Sequence, residues 1–319
     1  MEKSPFMFQG KRIMVCGCQD MLGEALIELL KTKACEVVAA AYEDVDLTDS
    51  KETKNYFNKK KVDAVFMLAA RTGGIFANAT RPAEFIHDNT MIALNTYQAA
   101  YETGVQKFMY LSNASVYPQD CVQPMKETDL MTGPLDPLHL GFGMAKLTGI
   151  VTGQCYRKQY GEDNISVITS KMYGPEDDFD LKNGSVLPAL IRKIHEAKIN
   201  EKNEVEVWGS GAARRDFIYV DDMADAAVFL MERYSDSLPI NVGTGQDVSI
   251  KELAEIVAKV VGFEGELVFD TTKPDGKPRR VCDVSRITEM GWTPKVSLEN
   301  GICRTYEWFK KHYEDIRKV

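Results

Sequence analysis

The sequence predicts an α/β fold in which a doubly wound parallel sheet is accompanied by a smaller C-terminal α/β lobe. Three observations support this prediction. Up to Gly174, short apolar runs alternate with longer segments in which apolar residues recur at helical spacing. A glycine-containing turn joins the first apolar run directly to the first helical segment. After Gly174 the alternation loosens, although strand-like and helix-like segments continue to the end of the chain.

Each element of the larger domain is predicted from its periodicity. The short apolar runs predict parallel strands at residues 12–17, 36–41, 63–70, 107–113 and 165–174. The segments of helical spacing predict helices at residues 21–33, 50–61, 79–104 and 145–161. Parallel strands joined through helices require crossover connections, which are right-handed. We therefore assign residues 1–174 to a Rossmann-type dinucleotide-binding domain.

The smaller lobe has a less regular order of elements. Strands are predicted at residues 204–209, 239–243 and 265–270, and helices at residues 187–198, 221–234, 249–262 and 298–316. Ser249 and Glu252 have the spacing of a capping box at the start of one of these helices. We expect this lobe, residues 175–319, to be interleaved with the larger domain, to which a segment near residues 215–250 returns.

The composition of the chain excludes several classes of protein. The formal net charge is −8 and the isoelectric point is near 5.3, so no overall field attracts a nucleic acid or an anionic membrane. We find no apolar run long enough to span a bilayer and no signal-peptide pattern. The 7 cysteines and 4 histidines are scattered without metal-ligand spacing. We therefore expect a cytoplasmic protein without a metal site, and we interpret the histidines as incidental.

The turn GCQDMLG, between the first strand and the first helix, predicts a dinucleotide-binding site. Gly17 permits a tight turn and Gly23 permits close packing of the helix on the strand, so backbone N–H groups can face a pyrophosphate. Asp20 occupies the position of the expected middle glycine, where a carboxylate repels a phosphate unless it points to solvent. The predicted cofactor site also includes the other residues of this turn, Gln19, Met21 and Leu22.

The end of the second strand distinguishes the two nicotinamide dinucleotides in many such folds. An acid there binds the ribose 2′-hydroxyl of NAD, whereas an arginine accommodates the 2′-phosphate of NADP. This chain has Tyr42 followed by two acids, so neither signal is clear and NADH is not excluded. After the third strand, Leu68, Ala69 and Ala70 suit a turn that passes beneath the adenine ribose.

Several motifs together carry a resemblance to a known family. In chain order they are GCQDMLG, LAARTGGIFAN, RPAEFIHDN, LSNASVYP, FGMAK, YGPEDDFD, VLPALIRK, VWGSGAARRDFIYVDDMA, INVGTG and FDTTKPDGKPRR. Over nearly its whole length the chain resembles the extended short-chain dehydrogenase/reductases, and among them the GDP-L-fucose synthase family. The resemblance implies a GDP-4-keto-6-deoxymannose 3,5-epimerase and 4-reductase that uses NADPH.

The resemblance also assigns catalytic positions, and most of them are substituted. In the family, a lysine binds the nicotinamide ribose and lowers the pKa of a tyrosine four residues earlier. That lysine corresponds to Lys146. That tyrosine position is Phe142, which cannot donate a proton, and the family's serine corresponds to Asn113. The epimerisation cysteine and histidine correspond to Ser115 and Ser185, both in the predicted substrate site. Because a hydroxyl pKa is too high for proton abstraction, we expect epimerisation to be lost.

Phe142 has three interpretations, which the sequence leaves open. In the first interpretation, Phe142 is an introduced Tyr→Phe substitution that inactivates the enzyme. Alternatively, the natural protein takes its proton from another donor, such as Ser115, Tyr117 or a bound water. In the third interpretation, the protein binds its ligands without catalysing a reaction.

The resemblance places the nucleotide-sugar site in the smaller lobe. Arg215 and Arg280 correspond to contacts with the sugar diphosphate, for which the planar fork of arginine is suited. Trp208 corresponds to a residue of the substrate pocket, and Lys193 stands where the family has an arginine. Lys171 stands where the family has an asparagine near the sugar, and it either contacts the ligand or pairs with a neighbouring acid.

We therefore predict an NAD(P)H-dependent reductase of the C4 ketone of a GDP-4-keto sugar, either a 6-deoxyhexose or a heptose. It would serve capsule or lipopolysaccharide synthesis, with a separate epimerase in the same pathway. The alternatives are a bifunctional GDP-L-fucose synthase and a catalytically silent nucleotide-sugar-binding partner subunit. The resemblance further implies a homodimer formed through a four-helix bundle, to which the helices predicted at 79–104 and after Lys146 contribute.

Overall fold

The computed structural model describes residues 5–181, 184–273 and 275–316, without the side chains of residues 75 and 76. In chain order its strands are β1 (Arg12–Cys16), β2 (Glu36–Ala40), β3 (Ala64–Met67), β4 (Lys107–Asn113), β5 (Asn164–Thr169), β6 (Lys171–Tyr173), β7 (Glu204–Trp208), β8 (Arg214–Arg215), β9 (Phe217–Tyr219), β10 (Ile240–Val242), β11 (Val248–Ser249), β12 (Glu266–Asp270) and β13 (Arg279–Arg280). Its α-helices are α1 (Met21–Leu30), α2 (Ser50–Lys60), α3 (Ile75–Thr80), α4 (Pro82–Thr103), α5 (Leu140–Tyr160), α6 (Val186–Ile199), α7 (Val220–Arg233), α8 (Ile250–Val261), α9 (Ser285–Glu289) and α10 (Leu298–Ile316).

The centre of the fold is a parallel sheet with the strand order β10-β5-β4-β3-β1-β2. The order reverses between β1 and β3, where the chain has moved outward to β2 and then back across the sheet. In open sheets of this kind, ligands bind at the carboxyl ends of the strands beside such a reversal. The predicted doubly wound Rossmann-type sheet is therefore confirmed.

Both faces of the sheet are buried, and this explains why its strands are continuous apolar runs. In β1, Ile13 and Val15 belong to one hydrophobic core, whereas Met14 and Cys16 belong to the core on the opposite face. Helices therefore have to cover both faces, as the alternation of strands and helices predicts. Among the helices of the described ranges, none has an apolar stretch sufficient to cross a membrane.

The smaller sheets lie in the second half of the chain and position charged side chains. One has the order β11-β8-β13, a second pairs β12 with β7, and a third pairs β6 with β9. The strand β10 returns to the large sheet by pairing in parallel with β5. The division of the chain at residue 174 into two interleaved domains stays a prediction.

The structure differs from the sequence prediction at several places near the candidate site. The helix predicted at 145–161 begins at Leu140, and the short strands β8 and β13 were not predicted. The strand predicted at 165–174 is divided at Ser170, because the Lys171 amide bonds to the Asp216 carbonyl and β6 leaves the large sheet to pair with β9. The helix predicted at 79–104 is divided at Arg81, because Pro82 occupies the first turn of α4 and cannot continue the preceding helix.

Candidate active site

The turn between β1 and α1 depends on two close backbone approaches. Gly17 has a φ of 81°, and a Cβ there would lie 2.7 Å from the Ala69 nitrogen. A Cβ on Gly23 would lie 2.2 Å from the Gly17 carbonyl oxygen. Asp20 precedes α1 without forming a side-chain cap, so the first amides of the helix remain available to a ligand. This cradle fits the pyrophosphate of a dinucleotide.

The Asp20 carboxyl group faces the cleft, towards Tyr42 and Lys146. It accepts a hydrogen bond of 3.4 Å from the Tyr42 hydroxyl and interacts electrostatically with Lys146. Desolvation raises the pKa of Asp20, and the Tyr42 hydrogen bond and the Lys146 charge partly oppose that shift. The carboxyl group therefore lies between the adenosine side and the nicotinamide side of the predicted cofactor site.

The adenosine side of the site contains a cavity of about 460 Å³, which Tyr42, Ala69 and Ala70 help to line. The Gln19 amide connects the turn to the end of β2, since it donates to Glu43 at 2.9 Å and accepts from the Tyr42 amide at 3.1 Å. Of the described residues that line the cavity, Arg71 is the cation. Its guanidinium is held by acids of α4, at 2.9 Å and 2.6 Å.

Lys146 lies at the base of the cleft with 4% of its surface exposed. Its ammonium donates to the Leu111 carbonyl oxygen at 2.9 Å and lies 5.0 Å from the centre of the Tyr110 ring. Burial lowers the pKa of Lys146 to about 8, although the negative charge of Asp20 opposes this. The lysine is therefore fixed at the end of β4, close to the turn that would hold the cofactor.

Phe142 faces the same region from the first turn of α5. Its ring centre lies 5.9 Å from the Lys146 ammonium. The ring packs edge-on against Phe85, with centroids 6.1 Å apart, in a small apolar cluster with Ala70 and Ala77. Phe142 therefore supplies an aromatic ring at the position of the family's tyrosine, but it lacks the phenol hydroxyl.

The end of β4 supplies two polar groups that bind to each other. The Ser115 hydroxyl donates to the Asn113 side-chain oxygen at 2.5 Å, and the Ser115 amide donates to the same oxygen at 3.0 Å. The alternative donor Tyr117 is fully buried, and its hydroxyl donates to Asn241 at 2.7 Å. Burial raises the pKa of Tyr117 far above its usual range, so we discard Tyr117 as a proton donor.

Two pairs of arginines lie side by side on β8 and β13, which pair in parallel. Arg214 and Arg279 both bind the carboxylate of Asp247. Arg215 and Arg280 are the neighbouring pair, and no carboxylate of the described residues forms an ion pair with either. Burial lowers the pKa of both arginines, and the charge of Arg280 lowers that of Arg215 further. This second pair is therefore a cationic site suited to a diphosphate.

Two further titratable groups belong to this region. Desolvation and the charges of Arg215 and Arg280 lower the pKa of Lys171, while Asp177 opposes them. Lys171 therefore interacts with Asp177. His139 was interpreted as incidental, but burial and the charges of Arg280 and Lys171 lower its pKa, so it lies within their field. Its position directly before the helix that bears Phe142 was a usable signal in the sequence.

The remaining predicted substrate residues lie before α6, within α6 and at the end of β7. Trp208 is 59% exposed, and the ammonium groups of Lys193 and Lys273 lie 5.1 Å and 5.7 Å from its ring centre. An exposed indole flanked by cations suits stacking with a flat ligand. Ser185 precedes α6 and makes no side-chain cap to it. The roles of these residues stay predictions.

The glycine turn and the buried lysine at the end of β4 define a nicotinamide-dependent oxidoreductase of the Rossmann type. Comparison with known proteins agrees, because the NAD dependent epimerase/dehydratase family matches residues 13–243. The chain belongs to this family, whose members here are extended short-chain dehydrogenase/reductases that use NADP(H).

Similar proteins act on GDP-sugars. A GDP-L-fucose synthase of Sinorhizobium fredii is 46% identical over 310 residues, which cover 97% of this chain and 99% of the relative. The structure of a GDP-mannoheptose C4 reductase from Campylobacter jejuni with NADP bound has a TM-score of 0.86 at 34% identity, covering 96% of this chain and 100% of the other. A GDP-D-glycero-L-gluco-heptose synthase from the same organism, solved in the presence of NADPH, has a TM-score of 0.87 at 32% identity, with coverages of 96% and 99%.

Proposed function

We propose that this protein is an NADPH-dependent reductase of the C4 ketone of a GDP-4-keto sugar and lacks 3,5-epimerase activity. The observation that carries the proposal is an asymmetry between two sets of residues. Lys146 and the pair Arg215 and Arg280 keep the charges that position the ligands. Ser115 and Ser185 occupy the positions where proton abstraction requires a stronger acid or base.

The residues of this chain fit a nicotinamide dinucleotide. Gly17 and Gly23 leave room for a pyrophosphate against the amides of α1, and the Lys146 ammonium is placed to donate to the nicotinamide ribose. When bound, the reduced cofactor supplies the hydride that the ketone carbon accepts. A bound diphosphate also relieves the repulsion between Arg215 and Arg280, so substrate binding and local stability support each other.

Loss of epimerisation follows from the chemistry of the substituted positions. Removal of a proton beside the C4 ketone requires a group whose pKa is close to the working pH. The Ser115 hydroxyl proton is already donated to the Asn113 amide oxygen. An amide oxygen is a poor base, so this pair does not convert the serine into a proton acceptor.

The proposal is tested by NADPH oxidation with GDP-4-keto-6-deoxymannose, in the presence and absence of an added 3,5-epimerase. We expect oxidation that depends on the added epimerase, or oxidation that yields only the unepimerised C4 alcohol without it. Formation of GDP-L-fucose by this protein alone contradicts the proposal and identifies a bifunctional synthase. A GDP-4-keto-heptose supplied in parallel distinguishes the two sugar classes.

A catalytically silent binding subunit is the second candidate, and Phe142 favours it. The ring is packed in an apolar cluster and offers no proton near the ketone. If the protein only binds, the Phe142→Tyr variant remains inactive, although GDP-sugar still binds in calorimetry. Activity that appears only in Phe142→Tyr indicates that Phe142 is an inactivating substitution in an otherwise complete reductase.

We further propose a homodimer formed through α4 and α5. Ile92, Leu147 and Ile150 pack into the core of the monomer, so they do not form the interface. Leu94, Tyr101, Met144 and Tyr160 are exposed apolar residues of the same two helices. Sedimentation should give a dimer for the natural sequence and a monomer for Leu94→Asp, whereas Val268→Asp, on the exposed face of β12, should leave the dimer intact.

The 7 free cysteines agree with a reducing compartment such as the cytoplasm.

A further inference from the structure

We propose that His139 donates the proton that the ketone oxygen takes up, in place of the tyrosine hydroxyl that Phe142 lacks. The inference rests on the proposed reductase function and assigns one further catalytic residue to it. It concerns a step for which the two side-chain donors that the sequence offered are unsuitable, since Tyr117 is buried and the Ser115 hydroxyl is bound to Asn113.

The position of His139 supports this role. It ends the short helical turn Pro137–His139 and directly precedes α5. Phe142 and Lys146 follow three and seven residues later, in the first two turns of α5. From β6 and β13, Lys171 and Arg280 lie close enough to act electrostatically on the imidazole. His139 therefore lies on the diphosphate side of the cleft, directly before the helix that carries Phe142 and Lys146.

The imidazole is also oriented as a proton donor requires. Its Nδ1 atom lies 3.4 Å from the Asp136 carboxylate. That carboxylate accepts from the Leu138 amide at 3.1 Å and pairs with the Lys277 ammonium at 3.4 Å, so it is fixed. Nε2 makes no hydrogen bond to any described residue and is left to reach a ligand. A histidine oriented by a carboxylate through one nitrogen commonly transfers a proton through the other.

The charges around His139 couple its protonation to substrate binding. Without a ligand, burial and the charges of Arg280 and Lys171 lower the pKa of His139, and Asp136 opposes them. A diphosphate bound against Arg215 and Arg280 adds negative charge that offsets these cations. The imidazolium is thereby favoured in the complex, where the ketone is present to accept the proton.

The complete step balances. The ketone carbon gains a hydride from the reduced nicotinamide, which becomes oxidised, and its oxygen gains the Nε2 proton of the imidazolium. The products are the C4 alcohol, the oxidised dinucleotide and a neutral His139, which solvent then reprotonates. The other histidines do not fit this role: His195 is buried against Tyr306, whereas His87 and His312 lie exposed on α4 and α10.

The test compares His139→Gln in two backgrounds, the natural sequence and Phe142→Tyr, with His312→Gln as the matched control. With Phe142 present, we expect His139→Gln to lower kcat by about 10²-fold or more and to change KM little. With Phe142→Tyr, which restores a phenol, the same substitution should lower kcat less than about tenfold, because a second donor is available. NADPH binding, followed by fluorescence, confirms that each variant is folded.

The pH profile gives an independent readout. His139 must be protonated to donate, so kcat of the natural sequence should fall as the pH rises through the His139 pKa of the complex. Phe142→Tyr should extend activity to higher pH. Equal losses from His139→Gln in both backgrounds, or a loss below about threefold with Phe142 present, overturn the proposal. Activity only in Phe142→Tyr overturns it while the reductase function stands, and silence of both backgrounds overturns both.

Discussion

The part of the candidate site proposed to bind ligands and the part proposed to transfer protons differ in how many of the family's functional groups they retain. The residues that we propose to bind ligands, which are the glycines of the turn, Lys146 and the pair Arg215 and Arg280, keep the groups that binding requires. The proton-transfer positions hold a phenyl ring, an amide and two hydroxyls, at Phe142, Asn113, Ser115 and Ser185. Apart from Lys146, to which we assign both roles, the residues proposed for binding and for proton transfer are different, so one set can change while the other persists.

The same contrast appears on a smaller scale between the two arginine pairs. Arg214 and Arg279 share the carboxylate of Asp247, and Arg214 also pairs with Glu252, so the pair joins β8, β13 and the loop before β11. Arg215 is held through its Nη1 atom by the backbone carbonyls of Arg214 and Lys277, each at 2.7 Å. Carbonyl contacts fix its direction without cancelling its charge. One pair therefore stabilises the lobe, and the other is available to a diphosphate.

The largest expected effect comes from removing the lysine that links the two halves. Lys146→Met should lower kcat/KM by about 10³-fold, because it removes the ammonium that positions the ribose and supports proton transfer. Steady-state NADPH oxidation measures the change. Lys158→Met, an exposed lysine of the same helix, should leave the rate unaltered. Equal effects of the two variants mean that Lys146 is not part of the site.

A smaller effect separates the two arginine pairs. Arg280→Met should raise the KM for the GDP-sugar about 10- to 100-fold, since a charged hydrogen bond contributes about 1.5–3 kcal/mol. It should not lower Tm, because it relieves repulsion with Arg215. Arg279→Met should do the reverse, lowering Tm with little change in KM. If calorimetry shows a lower Tm for Arg280→Met and kinetics show the higher KM for Arg279→Met, the assignment of the pairs is wrong.

The smallest expected effect concerns the adenosine end. Glu43 is bound to Gln19 just after β2, where we expect the 2′-phosphate of NADPH, and the Arg71 guanidinium is already bound by acids. Glu43→Gln should tighten NADPH about threefold, because it removes an exposed repulsive charge. NADH, which carries no phosphate there, should bind as before. Equal tightening of both cofactors, measured by fluorescence titration, would exclude an electrostatic effect on the 2′-phosphate.

Periodicity predicted the fold well because both faces of the sheet are buried. A strand such as β1 sends Ile13 and Met14 into opposite cores and therefore reads as a continuous apolar run. The departure of β6 at Ser170 was missed, because pairing with β9 depends on a contact from the smaller lobe. Local apolar content cannot reveal which sheet a strand joins.

The site was predictable where a residue type is fixed by geometry. Gly17 and Gly23 follow from steric limits that any such turn imposes. His139 was not predicted: its position before the helix that bears Phe142 was a signal in the sequence, but its relation to Arg280 joins segments distant in the chain. Tyr117 was a reasonable donor from its motif alone, and its complete burial in the folded protein excludes it. Side chains whose role depends on tertiary neighbours are thus the ones that sequence patterns miss.

The central claim is that ketone reduction persists while epimerisation is absent. Its most direct test is deuterium incorporation during turnover of a GDP-4-keto sugar with NADPH in heavy water. We predict a product reduced at C4 without deuterium at C3 or C5 beyond that found without enzyme. Deuterium at either carbon that depends on this protein, or no reduction of any GDP-4-keto sugar, would contradict the account.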